Sequence, residues 1–175
     1  PFIEKELKQA NNSSFVYPFL EGSVKATAWL NIKPLLASFR QTLIKEKMLL
    51  EEAFNHDSIS FLDSSVTYKS ILAKKIIFCE GAKIINNPFF KDIPMSLNKG
   101  ELLSIKSDEL NTSSILKKKV FVLPIDKSIY KIGATFEWNW ENENPSKEKK
   151  NILISQFKEI STSKFEVINH EAGVR

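Results

Sequence analysis

The sequence predicts an α+β fold: a mixed, largely antiparallel sheet with flanking helices. Two observations predict it. Two stretches carry apolar residues at helical spacing, Leu35, Leu36, Phe39, Leu43 and Ile44 in the first and Leu153, Ile154, Phe157 and Ile160 in the second. Around them lie short β-branched and aromatic runs bounded by Asp, Ser, Asn and Gly, the punctuation of strands joined by turns.

Each element has its own reason. Residues 1–14 are polar and read as a short helix ending in a loop. Phe15-Val16-Tyr17-Pro18-Phe19-Leu20 is an aromatic, strand-like run, punctuated by Gly22, and residues 23–30 continue extended. Asn31 stands where the first helix needs a cap, Pro34 sits in its first turn where the missing N–H costs nothing, and Lys45 and Lys47 lie near the end that favours cations. Strands are predicted at 48–52, 58–62, 66–68 and 73–79, with Asp57 and Asp63-Ser64-Ser65 as turns. The last ends in Ile76-Ile77-Phe78-Cys79, an apolar run that suits a strand buried on both faces. Residues 86–100 form a Pro-punctuated connector and the best domain boundary. Strands at 101–106, 119–125 and 128–138 follow, the last two joined by a tight turn at Asp126-Lys127. Ser146 caps the second helix, which runs to about Ile160, and a strand at 165–169 leads into His170-Glu171-Ala172-Gly173-Val174-Arg175.

Composition excludes several classes of function. The chain has 175 residues, 42% of them hydrophobic and 26% charged, an ordinary globular balance. Such a chain buries about 70% of its unfolded surface, enough for a core. Thirteen Phe argue against disorder. One cysteine, Cys79, excludes an internal disulfide framework, and two histidines, His56 and His170, make a His-rich metal site a poor expectation. No apolar run reaches the roughly 20 residues that cross a bilayer, and no signal core follows a basic start, so a cytoplasmic protein is the simplest expectation. The net charge is +4, but only Arg40 and Arg175 are arginine and the lysines are interleaved with acids, so nucleic-acid binding is not expected. The chain opens on Pro1-Phe2-Ile3 without an initiator methionine and reads as a piece of a longer protein.

Four ordered segments carry a resemblance: Ala28-Trp29-Leu30-Asn31-Ile32-Lys33-Pro34-Leu35-Leu36; Ala73-Lys74-Lys75-Ile76-Ile77-Phe78-Cys79-Glu80-Gly81-Ala82; Leu97-Asn98-Lys99-Gly100-Glu101-Leu102-Leu103; and Tyr130-Lys131-Ile132-Gly133-Ala134-Thr135-Phe136-Glu137. A helix and a terminal Ala-Gly-Val-Arg follow. In this order they resemble the FAD-dependent oxidoreductases related to D-amino-acid oxidase and glycine oxidase, over roughly residues 20–175. Lys99, Glu101 and Cys79 depart from that family's usual Arg, Gln and Ala. The resemblance implies a substrate-domain segment at 1–24, a small helix and β-meander portion of the FAD-binding domain at 25–86, and a substrate-binding domain at 87–175. It implies oxidation of an amino acid or related amine by hydride transfer to flavin. The Gly-x-Gly-x-x-Gly turn that cradles a dinucleotide is absent, so this fragment alone is expected to be inactive and not to retain FAD, which belongs to the intact parent. No membrane span is expected, and the oligomeric state is left open.

By the same resemblance Arg175 pairs with a substrate carboxylate, the task its planar, always charged fork suits, and Gly133 borders the substrate pocket. Phe54, Gly81 and Lys99 would contact the cofactor. Four of them have a plainer reading: a surface arginine for Arg175, a packing glycine in a strand for Gly133, a core aromatic for Phe54 and a turn glycine with positive φ for Gly81. Trp138 and Trp140 either wall a pocket or shield a sheet edge. His56 and His170 read as loop or strand-end residues, and Cys79 as a small buried hydrophobe. A function from another class, a non-enzymatic α+β module binding a protein through Phe15–Phe19 and Trp138–Trp140, is the alternative.

Overall fold

The computed structural model describes residues 3–4, 6–16 and 20–175. It is an α+β, sheet-dominated fold with two antiparallel sheets and no closed barrel. The first helix, α1, spans Ile32–Lys45. Strands β1 (Ile59–Phe61), β2 (Val66–Tyr68) and β3 (Ile71–Ala73) form a small meander in the order β1-β2-β3. After a 3-10 turn at Gly81–Asn86 and the connector come β4 (Lys99–Lys106), β5 (Leu116–Lys117), β6 (Phe121–Asp126), β7 (Ile129–Gly133), α2 (Lys147–Lys158) and β8 (Glu166–Val174). These strands make a five-stranded sheet in the order β5-β6-β7-β4-β8.

The core lies between this sheet and α2. Leu103 and Ile105 of β4, Val122 of β6, Tyr130 and Ile132 of β7, and Leu153 and Phe157 of α2 are all buried. Alternation explains the set: Leu103 pairs with Ile132, Ile105 with Tyr130 and Val122 with Ile132, so they share one face. The Tyr130 hydroxyl donates to the Leu110 carbonyl at 2.6 Å, which satisfies the polar end of a buried ring. Ser146 caps α2 by accepting the Lys149 N–H. Phe15 joins the same core. Residues around it are sewn to the segment that follows α2, with Val16 N–H on the Ile160 carbonyl and the Ser161 hydroxyl on the Ser14 carbonyl.

Several elements differ from expectation, each for a physical reason. The described part of 1–14 is extended, with Ile3 bridging Val24 and Lys8 bridging Glu21, because it has no apolar stripe for a helix to bury and pairs with 21–24 instead. Tyr17, Pro18 and Phe19 of the expected aromatic strand lie outside the described residues. Residues 48–52 join no ladder. The strand expected over 73–79 pairs only as far as Ala73; with no described neighbour beyond that, Ile77 is 83% exposed and Cys79 is exposed rather than buried. The hairpin turn is Lys127-Ser128, one residue later than expected, since Asp126 still pairs with Ile129. β7 ends at Gly133, and β8 runs on to Val174 because β4 offers it a full-length partner. Asn31 caps α1 by position without a side-chain bond. The apolar stripe of α1 is unburied: Leu36 and Phe39 are 59% and 58% exposed.

Candidate functional site

The sheet has a second face, opposite α2. Register assigns it Gly100 and Leu102 of β4, Phe121 of β6, Lys131 and Gly133 of β7, and Glu171 and Gly173 of β8. Its apolar members Leu102 and Phe121 are half-buried, against full burial of Leu103 and Ile132 on the α2 side.

At one end of this face β4 and β8 close with a reciprocal pair. The Asn98 N–H donates to the Arg175 carbonyl at 2.8 Å, and the Arg175 N–H donates back at 3.0 Å. The guanidinium lies over the Phe136 ring, 5.1 Å from its centroid, and stays exposed. Two residues inward Gly100 lies opposite Gly173. A Cβ on Gly173 would meet no atom within 4 Å, so the backbone is open to close approach there. Gly133, by contrast, has a packing reason of its own: a Cβ would fall 2.2 Å from the Leu102 side chain and 3.3 Å from Phe121. Asn98 is 4% exposed and neither its amide nitrogen nor its amide oxygen has a hydrogen-bond partner. An orphaned buried amide costs about 1–3 kcal/mol, and both polar atoms of this one are closed to solvent.

Four residues further along, Glu171 bridges two cations. Lys131 of β7 reaches it at 2.6 Å and Lys33, in the first turn of α1, at 2.8 Å. These contacts hold the carboxyl well below its usual range, at about 2, against a burial effect that works the other way. The bridge also ties α1 to the large sheet.

On the α2 face a charged group is fully buried. Glu101 has no exposure; its carboxylate accepts the Ser146 N–H at 3.0 Å, the Lys99 ammonium at 3.2 Å and a bond with His170 Nε2 at 2.7 Å. Burial pushes Glu101 up, but the Ser146 N–H, Lys99 and His170 outweigh it and hold the carboxyl below its usual range. The cluster pins the loop before α2, since the Lys99 ammonium also donates to the Asn144 carbonyl at 2.6 Å. Lys99 is therefore 4% exposed with its charge already committed, which leaves little of it for a cofactor.

Thus Arg175 and Gly133 share one sheet face, and Lys99 lies on the other. Phe54 and Gly81 belong to a different cluster. Phe54 stacks on Tyr68 at 4.5 Å and meets His56 and Phe78 edge-on. His56 Nε2 lies 3.1 Å from Glu80, next to Gly81, whose φ of +57° fits the turn that glycine permits. The sequence reading missed Asn98, the Gly100–Gly173 pair, Glu101 with His170, and the Lys131–Glu171–Lys33 bridge. Alternation along 99–105 marks Glu101 as inward-facing, but its partners become visible only with the strand register.

No family model matches the chain, and no solved structure matches it significantly.

Proposed function

We propose that the chain is the substrate-binding portion of a FAD-dependent oxidoreductase that oxidises an amino acid or related amine. The observation that carries this reading is the exposed Arg175 guanidinium at the end of a sheet face on which Gly173 leaves the backbone bare. Guanidinium offers a forked, permanently charged partner for a carboxylate. The backbone left open at Gly173 beside it suits close approach of a planar ring, the feature of this face that favours a flavin. Gly81, with open space where a Cβ would stand, also fits close approach of a cofactor; Lys99 does not, because its ammonium is bound elsewhere. The pyrophosphate has no Gly-x-Gly-x-x-Gly cradle in this sequence, which supports retention of FAD only by a larger protein.

The chain's own residues would bind and orient. Arg175 would hold the substrate carboxylate and fix its orientation. Leu102 and Phe121 give the substrate an apolar wall that excludes water. Bound flavin would supply the hydride acceptor. Flavin absorbance of the whole protein after addition of FAD tests the reading; a colourless, folded protein rejects it.

A second reading, a non-enzymatic module that binds a protein, is favoured by the unburied stripe of α1, where Leu35, Leu36, Phe39 and Ile44 all face outward. It predicts cooperative folding and partner binding with no dependence on flavin.

A further inference from the structure

One edge of the five-stranded sheet is β8, last in the order β5-β6-β7-β4-β8. None of its residues is buried. An antiparallel ladder alternates hydrogen-bonded and non-bonded pairs, and Asn98 with Arg175 is a bonded pair. Along the unbroken register from there, Gly173 and Glu171 also bond to β4, so Val174, Ala172 and His170 turn their N–H and C=O groups outward. The His170 N–H is taken by Asn169 Oδ1 at 2.9 Å. The other outward groups of this stretch have no partner among the described residues.

Edge strands are ordinarily blunted by a bulge, a proline or a lysine. Here the register shift of the β4–β8 ladder falls at Ser104/Ile105, and residues 169–175 beyond it run straight with neither Pro nor Lys. Ala172, Gly173 and Val174 are small, and a Cβ on Gly173 would meet no atom within 4 Å, so another main chain can come close. The charged side chains lean inward, away from the edge. Glu171 reaches Lys131 on β7, two strands in, and the Arg175 guanidinium lies over Phe136, whose neighbour Glu137 bridges to Lys99 of β4. A contact along the edge therefore leaves the guanidinium open.

The stretch is complementary to itself. Antiparallel pairing centred on Ala172 sets Ala172 against Ala172, Val174 against His170, Glu171 against Gly173 and Arg175 against Asn169, so no like charges stand opposite each other. It offers about four hydrogen bonds, from each Ala172 N–H to the other Ala172 carbonyl and from each Val174 N–H to the other His170 carbonyl. A strand pair alone is small beside the roughly 1,200 Å² of a stable interface. The first helix supplies more: Lys33 in its first turn reaches Glu171 at 2.8 Å, so α1 starts beside this edge, and its stripe of Leu35, Leu36 and Phe39 is exposed.

We propose that two copies of the chain associate about a two-fold axis at Ala172, joining their large sheets edge to edge through β8. The test is sedimentation velocity of the full chain from about 5 to 500 μM, with amide hydrogen exchange read by NMR at both ends of that range. A reversible monomer–dimer equilibrium is expected. The outward amides of Ala172 and Val174 should exchange at least about tenfold more slowly at the high concentration, while the Gly173 amide, inside the β4–β8 ladder, stays protected at both. Ala172→Pro removes an outward N–H that the ladder does not use, a place where an edge strand tolerates proline, and should weaken the dimer at least about tenfold with Gly173 still protected. A chain that stays monomeric throughout overturns the proposal. So does a dimer in which Ala172 and Val174 still exchange fast, which would join through another surface such as α1 alone. Protection of both amides at every concentration, the mark of an edge covered from within the chain, or undiminished association of a folded Ala172→Pro variant overturns it too.

Discussion

The Ser146 N–H, at the cap of α2, donates to both oxygens of the Glu101 carboxylate, 45 residues away on β4. A buried strand carboxylate therefore finishes a helix end that Ser146's own side chain only half satisfies. Glu101→Gln keeps the shape but leaves the Lys99 ammonium buried without a countercharge. We expect a loss of about 3–5 kcal/mol, read as a lower urea midpoint. Adding Lys99→Met should recover part of it; a double variant no better than Glu101→Gln would show that the charge pairing is not what matters.

Glu171 sets an acid limb to stability. Its folded-state pKa, lowered to about 2 by Lys131 and then Lys33, lies below the ordinary value of 4.5. The stabilisation is thus complete above about pH 4.5 and is lost as pH falls towards 2. The full shift corresponds to about 3 kcal/mol, which screening at this partly open site reduces to about 1–2 kcal/mol. Glu171→Gln should lower stability at pH 7 by that amount and flatten the decline between pH 5 and 2. An unchanged acid limb would mean that the bridge contributes nothing.

Glycine positions on the open face should behave oppositely. Gly133→Ala drives a Cβ into Leu102 and should cost about 1–3 kcal/mol, relieved in part by Leu102→Ala. Gly173→Ala meets nothing and should change thermal stability by less than about 0.5 kcal/mol. If the two variants melt alike, the packing assigned to Gly133 is wrong.

The two helices should separate in the same way. Leu153→Ala removes a fully buried side chain and should cost about 2–5 kcal/mol. Phe39→Ser, at a site 58% exposed, should leave the fold's stability almost unchanged and reduce concentration-dependent association in sedimentation experiments. A large loss of stability from Phe39→Ser would show that α1 is packed after all.

The contrast between the helices also explains what was legible in the residues. Leu153, Phe157 and the Ser146 cap agree with one another, so helix, cap and core face all follow from spacing. The stripe of α1 has the same spacing, yet spacing carries no information on whether a surface exists to bury it. Ile76-Ile77-Phe78-Cys79 failed for that reason: an apolar run becomes a buried strand only beside a neighbour, and none lies among the described residues. β5, two residues long, is below what any pattern reveals. Pro124 looks hostile to a strand inside a sheet, but β5 pairs only as far as Val122 and the β6–β7 register shifts just after Pro124, so the proline sits where pairing is already interrupted. Arg175 and Gly133 were named only through the resemblance, and the register puts them on one sheet face. Glu101 and His170 were not, because they are 69 residues apart and meet only through the β4–β8 register.

The most direct measurement is flavin absorbance of the protein expressed from its whole reading frame, with and without Arg175→Met. The account predicts a yellow protein after addition of FAD, bleached anaerobically by an amino acid or amine. Arg175→Met should keep the flavin spectrum while weakening substrate about tenfold to a hundredfold, the worth of a charge-assisted pair. A folded protein that takes up no FAD, or an Arg175→Met variant with undiminished affinity for a carboxylate-bearing substrate, would contradict it.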